Sequence, residues 1–171
     1  TTTTASLSIA ITDHDEHDVS APSDSDTDAN TIAEDIANGQ PVQITASSSD
    51  ADGSTNTITY AITAESCTGA FTIGESTGVV TVLDTNDINR ESGETCTLEV
   101  TATSSDTSTA ATTFTVTLTD VDEFNMGATS DSDATANTVA ENAADNTAVG
   151  ITASASDADA TASTAYTMTI D

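Results

Sequence analysis

The chain contains an internal repeat with a period of 107 residues, the offset between residues 31 and 138. The sequence TIAE at 31–34 returns as TVAE at 138–141, and ITAS at 44–47 returns unchanged at 151–154. A period of this length is typical of whole domains in tandem and is too long for a solenoid unit. The chain is therefore expected to consist of one complete domain and parts of its two neighbours.

The repeat predicts where these parts begin and end. Residues 1–18 are expected to be the last strand and linker of a preceding repeat, residues 19–125 a complete repeat, and residues 126–171 the first strands of a following repeat. Alone, the last part cannot close a sandwich, because the strands that would cover its apolar face are absent. Either the natural chain continues, or a neighbouring molecule supplies the missing strands.

Charge restricts the partners of this chain. The net charge is −28, Arg90 is the only basic side chain, and there is no Lys. Such a chain repels nucleic acids and anionic membrane surfaces, and it attracts cations. An acidic, Ser- and Thr-rich disordered linker is the alternative, but alternating runs of Thr with Val, Ile and Leu argue against it.

Apolar runs, the start of the sequence and the cysteines indicate in which compartment the protein occurs and whether it enters a membrane. No run of about 18 apolar residues occurs, so we expect no membrane insertion. The sequence begins without Met and without the regions of a signal peptide, which indicates processing or a window of a longer protein. Cys67 and Cys96 are the only cysteines. An even count favours a disulfide in an oxidising, extracellular compartment, with two buried free thiols as the alternative.

Period-two alternation predicts an all-β fold. Turn signals separate seven short strands, without a convincing helical pattern, and this combination predicts an antiparallel seven-stranded Greek-key β-sandwich in tandem. Ala5–Thr12, with Leu7, Ile9 and Ile11 on one face, is expected to be the last strand of the preceding repeat. The predicted strands of the complete repeat are Thr31–Ala33, Pro41–Ala46, Asn56–Thr63, Ala70–Ile73, Val79–Leu83, Thr95–Thr103 and Thr109–Thr119.

Two Ser- and Asp-rich stretches, Ser23–Asp28 and Ser130–Asp133, are expected to be solvated loops. The first contains Asp24, Asp26 and Asp28 in alternation, as at the start of a calcium loop, but it lacks the Gly of an EF-hand. His14 and His17 correspond to Val121 and Phe124 in the second copy. We therefore interpret both histidines as exposed linker residues.

Acidic residues recur at matching positions. The sequence DAD at 50–52 returns at 157–159, and DHDEHD at 13–18 returns as DVDEFN at 120–125. Carboxylates on loops that converge at one end of a sandwich would repel one another, and the chain offers only one base. A divalent cation that takes six to eight oxygens would relieve this repulsion, and Ca²⁺ suits flexible carboxylate sites better than Mg²⁺. A solvated acidic surface is the alternative.

Five segments together resemble the cadherin repeat. They are the AED segment at 33–35, the DAD loop at 50–52, the NRE turn at 89–91, the DVDE linker at 120–123, and GAFTI at 69–73 followed by TGVVTV at 77–82. They occur in cadherin order and at cadherin-like spacings, over the complete repeat and both flanking parts. The composition, rich in Thr and Asp and free of Lys, is most similar to the cadherin-like repeats of large bacterial surface proteins and adhesins.

The resemblance implies two calcium junctions. The junction after the complete repeat would use Glu34, Asn89, Glu91, Asp120, Asp122, Asp157 and Asp159, with Glu123 and Asn125 as further candidates. The junction before it would use Asp13, Asp15, Asp50 and Asp52, with Glu16 and Asp18 as further candidates. The chain also departs from the family, which usually has Asp where Asn89 stands and an acid where Ser104 stands; Asp106, two places later, is a further candidate ligand.

The resemblance also bears on the cysteines and on function. Cys67 ends the third strand and Cys96 begins the sixth, and these strands are neighbours in this class of sandwich, which supports the disulfide. No catalytic arrangement is apparent, so we expect no enzyme. The primary hypothesis is a calcium-rigidified spacer or filament segment of an extracellular protein, whose partners are neighbouring repeats or identical chains.

Two alternatives remain open at this stage. In the first, identical chains polymerise into a fibre by exchanging strands between their incomplete ends. In the second, the sandwich recognises a glycan or a protein on a cell surface. The second has less support, because the chain has no Trp, two Tyr and three Phe, whereas such recognition usually depends on aromatic side chains.

Overall fold

A computed structural model describes residues 1–12, 14–159 and 161–169. The complete repeat folds into eight strands: β1 Ser23–Asp24, β2 Thr31–Ala33, β3 Pro41–Ser47, β4 Ile58–Glu65, β5 Phe71–Ile73, β6 Val79–Val82, β7 Thr95–Ser104 and β8 Thr109–Thr119. A short 3₁₀ helix, Thr85–Asp87, precedes the loop that leads to β7. Each of the seven predicted strands is present, with ends that differ by two residues or fewer.

Two four-stranded sheets form the sandwich. One has the order β1-β3-β6-β5 and the other has the order β2-β8-β7-β4. The non-sequential order in both sheets is the one expected for the predicted Greek key. One pairing departs from the antiparallel prediction, since β2 lies parallel to β8, with Ala33 opposite Thr119. This pairing matters for the site, because it places the residues after β2 beside those after β8.

The alternation of the strands separates core from surface. In β7, Cys96, Leu98, Val100 and Ala102 are fully buried, and the Thr and Glu residues between them face outward. In β3, the buried side chains are those of Val42, Ile44 and Ala46. Burying each large aliphatic side chain stabilises the fold by about 1.5–3 kcal/mol.

One glycine explains how closely the first sheet packs. Gly78 has a φ of +69°, and a Cβ atom at this position would lie 2.0 Å from the carbonyl oxygen of Ala46. The nitrogen of Ala46 donates to the carbonyl oxygen of Gly78 at 2.9 Å. Only glycine therefore allows the turn before β6 to approach β3 so closely.

The loop interpretation of Ser23–Asp28 and Ser130–Asp133 was wrong at the start of both stretches. Ser23–Asp24 pairs with β3, and β9, Ser130–Asp131, pairs with β10, Ala153–Ser154. Carboxylates fix these short pairings: Oδ1 of Asp24 accepts a hydrogen bond from Thr45 N at 3.0 Å, and Oδ1 of Asp131 accepts one from Thr152 N at 2.9 Å. Two-residue strands show no alternation, so the sequence pattern did not reveal them.

The predicted strand over Ala5–Thr12 is not formed. Leu7, Ile9 and Ile11 are 94%, 90% and 94% exposed, because no strand among the described residues lies beside them. Residues 138–140, which correspond to β2 in the second copy of the repeat, also form no strand. Its partner would be a copy of β8, which would lie beyond residue 171. The division into three domain parts remains a prediction.

A disulfide joins Cys67 to Cys96, with their Cα atoms 5.6 Å apart and a sequence separation of 29 positions. Cys96 is buried in β7, and Cys67 lies in the loop after β4. The predicted bridge is therefore present, and the alternative of two free thiols is wrong. Among the described residues, no helix has the length and apolar character needed to cross a bilayer.

Candidate metal centre at the domain junctions

Glu34 connects three segments at the end of the complete repeat. It follows β2 directly and is only 4% exposed. Its Oε1 accepts a hydrogen bond from Val121 N at 2.8 Å, and its Oε2 accepts one from Arg90 N at 2.6 Å. The parallel pairing of β2 with β8 explains this position, because Glu34 N donates to the carbonyl oxygen of Thr119 at 3.2 Å. The carboxylate therefore holds both the loop before β7 and the linker after β8.

Two overlapping clusters of carboxylates surround this position. Glu34, Glu91 and Asp120 each place one oxygen within 4.8 Å of the others. Glu91 also belongs to a second group with Glu123 and Asp159, at the same mutual distance. The structure therefore brings together predicted ligands from the loop after β2, the loop before β7, the linker and the following repeat. We name these two clusters the downstream site.

The segment predicted to be the linker contacts Asp159, in the predicted following repeat, through its backbone. Oδ1 of Asp159 accepts hydrogen bonds from Glu123 N at 3.1 Å and from Phe124 N at 3.2 Å. Asp159 N in turn donates to Oδ1 of Asp157 at 3.3 Å. Thr161 donates from both its backbone N–H and its hydroxyl to Oδ2 of Asp120. A cavity of about 280 Å³ lies here, and its lining includes Asp120, Asp122, Asp157 and Asp159.

Repulsion between these carboxylates affects their protonation. The charge of Asp159 is the largest cause that raises the pKa of Asp122 above its usual value, followed by a hydrogen bond with Asp159 and by desolvation. Desolvation raises the pKa of Glu123, and the charges of Glu34 and Glu91 raise it further. The downstream site therefore favours any species that neutralises its charge, whether a proton or a metal ion.

A second cluster joins the complete repeat to the segment that precedes it, and we name it the upstream site. Asp15, Asp52 and Asp106 each place one oxygen within 4.8 Å of the others. Asp52 is 3% exposed, and its two oxygens accept hydrogen bonds from Glu16 N at 3.1 Å and His17 N at 3.3 Å. Desolvation raises the pKa of Asp15, with smaller contributions from the charges of Asp106 and Asp52.

The two sites share one linker geometry. Glu123, Phe124 and Asp159 lie 107 positions after Glu16, His17 and Asp52, and the backbone donors and the carboxylate acceptor are the same in each. The contact uses only the N–H of the residue equivalent to His17. This explains why Phe124 can stand at the same position in the second copy, and why His17 need not be a ligand.

Hydroxyl groups near the upstream site were missed by the sequence analysis. Ser104, at the end of β7, donates its hydroxyl to Oδ2 of Asp50, and Oδ1 of Asp50 accepts from Asp52 N at 3.1 Å. The bond from Ser104 is the largest cause that lowers the pKa of Asp50, and the bond from Asp52 N adds to it. Ser108 accepts from Val19 N at 2.9 Å. The chain is so rich in Ser and Thr that no local pattern distinguishes these residues.

Three further predicted ligands lie beside these clusters without belonging to them: Asp50 accepts from Asp52 N, and Asp122 and Asp157 line the cavity with Asp120 and Asp159. The other predicted ligands have contacts or positions of their own. The side-chain oxygen of Asn89 accepts from Ser92 N at 2.6 Å and closes a turn. Asn125 and Asp18 are exposed, and Asp13 lies outside the described residues. Asp24, Asp26 and Asp28 belong to neither cluster, and Oδ1 of Asp26 accepts from Asp28 N at 3.0 Å.

The donor set fits a hard divalent cation. Both sites present carboxylate oxygens from several segments, as Ca²⁺ prefers. The only basic side chain of the protein forms an ion pair with an exposed acid instead, with Nη2 of Arg90 3.1 Å from Oε1 of Glu94. Oδ2 of Asp106 is excluded from solvent and has no hydrogen-bond partner among the described residues. A carboxylate oxygen of this kind is expected to coordinate a cation.

Comparison with known proteins places the chain in a family. A model of the cadherin domain matches residues 28–119, which is more than half of the chain. The chain therefore belongs to the cadherin domain family. Cadherin domains are extracellular modules of adhesion and structure, and they generally bind calcium. No curated protein matches the chain.

Solved structures share this fold. Mouse cadherin-23 EC22-24 is 23% identical with a TM-score of 0.64, and the match covers 86% of this chain and 46% of that one. The protocadherin gamma B4 extracellular domain is 20% identical with a TM-score of 0.66, and the match covers 86% of this chain and 24% of that one. The present chain thus spans less than half the length of either structure.

Proposed function

We propose that the chain is a calcium-rigidified spacer segment of an extracellular adhesive or structural protein, with no catalytic role. One observation carries this proposal: at both junctions, a buried or clustered carboxylate of one repeat accepts hydrogen bonds from the backbone of the linker that joins the repeats. Calcium bound at these places would join the linker to both neighbouring domains.

We assign the proposed ligands as follows. The downstream site uses Glu34, Glu91, Asp120, Asp122, Glu123, Asp157 and Asp159, and the upstream site uses Asp15 and Asp52 with Asp50 beside them. Asp13, Asn89 and Asn125 remain expectations from the family resemblance.

Mass action would set the occupancy of these sites. Extracellular modules hold Ca²⁺ with dissociation constants of about 10⁻⁴ to 10⁻³ M, so such sites fill outside the cell. Bound metal would offset the repulsion that raises the pKa values of Asp122 and Glu123. Without metal, this repulsion favours separation of the linker from the domain, and the junction becomes flexible.

Small-angle X-ray scattering tests the proposal. The largest dimension of the particle should be well defined in millimolar calcium, and its distribution should broaden when calcium is removed. Asp159→Asn keeps the oxygen that accepts from Glu123 N but removes the charge, and it should weaken the calcium response. Asp26→Asn is the matched control, because Asp26 also accepts a backbone N–H but lies in neither cluster. Equal distributions with and without calcium in the unmodified chain would refute the spacer mechanism.

A second candidate function is assembly by strand exchange between identical chains. The exposed apolar face of Leu7, Ile9 and Ile11 favours it. In the complete repeat, Ile32 of β2 lies opposite Leu118 of β8. Their equivalents in the flanking parts are Val139 and Ile11, so one chain would place Ile11 beside Val139 of another. Light scattering at rising protein concentration in calcium tests this, and a constant monomer mass would contradict it.

We also propose that the parent protein is a large bacterial surface protein or adhesin, on the basis of its Thr- and Asp-rich, Lys-free composition. The described residues provide no observation that favours recognition of a glycan or of another protein. A glycan array of purified surface polysaccharides tests glycan recognition, and selective binding to one of them would support it.

A further inference from the structure

The turn between β7 and β8 has an unusual backbone. Thr107 N donates to the carbonyl oxygen of Ser104 at 3.0 Å, and Ser104 N donates to the carbonyl oxygen of Ser108 at 3.0 Å. Thr107 has a φ of +85°. A β-branched residue rarely adopts this left-handed conformation, which costs free energy and often occurs beside functional groups. The turn carries Asp106 to the upstream site.

Ser104 occupies the place where the cadherin pattern has an acid, and it cannot supply a negative charge. It is 3% exposed, and its hydroxyl donates to Asp50. Because Asp52 N occupies the other oxygen of Asp50, both oxygens of Asp50 accept hydrogen bonds from the protein. Ser104 therefore holds the loop that carries Asp52.

Asp106 differs from Asp50 in how its oxygens are used. Oδ1 accepts from Ser108 N at 2.6 Å, which fixes the side chain within the turn. Oδ2 is buried and has no hydrogen-bond partner among the described residues. Burial of a carboxylate oxygen without a partner is costly unless a cation compensates it. Asp15 and Asp52 each place an oxygen within 4.8 Å of an oxygen of Asp106.

We propose that Asp106 is the ligand which the β7–β8 turn contributes to the upstream calcium site, two residues after the position that the family uses, and that Ser104 is a positioning residue that acts through Asp50. The inference rests on the proposed calcium function and adds a relocation of one ligand.

Site-resolved calcium titration by ¹H–¹⁵N NMR of the 171-residue chain tests this proposal. The amides of Glu16 and His17 report the upstream site, because both donate to Asp52. The amides of Glu123 and Phe124 report the downstream site, because both donate to Asp159. Each site then has its own titration midpoint, and the downstream site is an internal control.

Asp106→Asn retains an oxygen for Ser108 N and removes the charge. This variant should raise the calcium concentration at half-saturation of the upstream site by about tenfold or more, since the number of charged ligands changes calcium affinity by orders of magnitude. The value for the downstream site should stay unchanged. Asp26→Asn is the matched control, because Oδ1 of Asp26 also accepts from the N–H two residues later. Asp106→Ser, which can still cap Ser108 N, is a second variant in case Asp106→Asn disturbs folding.

Ser104→Ala should raise the upstream midpoint several-fold, and Ser104→Thr should restore it because the hydroxyl is retained. A purely structural role would lower the melting temperature of Ser104→Ala without this selective shift, and that result would remove Ser104 from the proposal. If neither site of the unmodified chain responds to calcium, the proposed function itself fails. If both sites respond and Asp106→Asn titrates like the unmodified chain, the relocation alone is wrong.

Discussion

The backbone N–H of Val121 donates a 2.8 Å hydrogen bond to Oε1 of Glu34, 87 residues earlier in the sequence. The other oxygen of Glu34 accepts from Arg90 N at 2.6 Å. Hydrogen bonds to a charged acceptor are stronger than neutral ones, and this carboxylate is nearly inaccessible to water. The protein itself therefore attaches the linker to the body of the domain, and bound calcium would act on a junction that is already partly ordered.

Substitution of Glu34 should destabilise the complete repeat even without calcium. In Glu34→Gln, one oxygen becomes an amide nitrogen that faces either Val121 N–H or Arg90 N–H, so one buried donor loses its acceptor. We expect a loss of about 1.5–3 kcal/mol in the free energy of unfolding. Urea denaturation of the metal-free protein measures this. Glu99→Gln, an outward-facing substitution in β7, is the control, and equal losses in both variants would contradict the role of Glu34.

Calcium should stabilise the folded chain. A ligand that binds only the folded state stabilises it by about 2.7 kcal/mol per site at 100 times its dissociation constant. We therefore expect the melting temperature to rise by several degrees between chelator and millimolar calcium. Magnesium at the same concentration is the control, because its octahedral geometry suits a loop-built cluster less well. An unchanged melting temperature would contradict calcium binding at these carboxylates.

The sequence predicted seven of the eight strands in the complete repeat, most directly where side chains alternate over several residues around a buried row, as with Val42, Ile44 and Ala46 in β3. It failed for Ala5–Thr12, which has the same alternation. A strand forms only beside another strand, and the pattern within one segment does not show whether a neighbour is present.

The residues of the candidate site were likewise predicted only in part. The acids of both clusters were predicted from their recurrence and from the family resemblance. The contribution of Ser104 was not predicted, because its contact with Asp50 spans 54 residues and involves a common hydroxyl residue. Comparison of the two copies of the repeat gives no information on Ser104, because the equivalent position is not among the 171 residues of the sequence.

The disulfide should contribute substantially to stability. Cys67 and Cys96 close a loop across 29 positions, for which the chain-entropy model gives about 3–4 kcal/mol. We expect the Cys67→Ser/Cys96→Ser double variant to unfold at a correspondingly lower urea concentration. Reductant should shift the unmodified chain toward the same midpoint and leave the double variant unchanged. If reductant moves neither midpoint, the bridge does not contribute in solution.

The pH dependence of stability should change direction with calcium. In the metal-free protein, the pKa values of Asp15, Asp122 and Glu123 are raised above their ordinary values of 3.8, 3.8 and 4.5, chiefly by the charge of Asp159 at Asp122 and by partial desolvation, with neighbouring charges, at Asp15 and Glu123. The folded state therefore takes up these protons before the unfolded chain does, and stability rises as the pH falls through the raised values.

Other carboxylates have the opposite effect at lower pH. Hydrogen bonds lower the pKa values of Asp50, Asp131 and Asp133 below 3.8. Their contribution is complete above pH 3.8 and is lost as the pH falls through the lowered values. The melting temperature of the metal-free protein should thus pass through a maximum at mildly acidic pH.

With saturating calcium, protons compete with the metal for the same oxygens, so the melting temperature should fall from neutral pH downward. Thermal unfolding of resin-decalcified protein, with and without added calcium from about pH 7 to about pH 3, measures both curves. The Asp15→Asn/Asp122→Asn variant, which removes one carboxylate from each junction, should show a smaller acid-induced rise in its metal-free form. Parallel curves with and without calcium would contradict metal binding at these carboxylates, because only a bound cation reverses the direction of the pH effect.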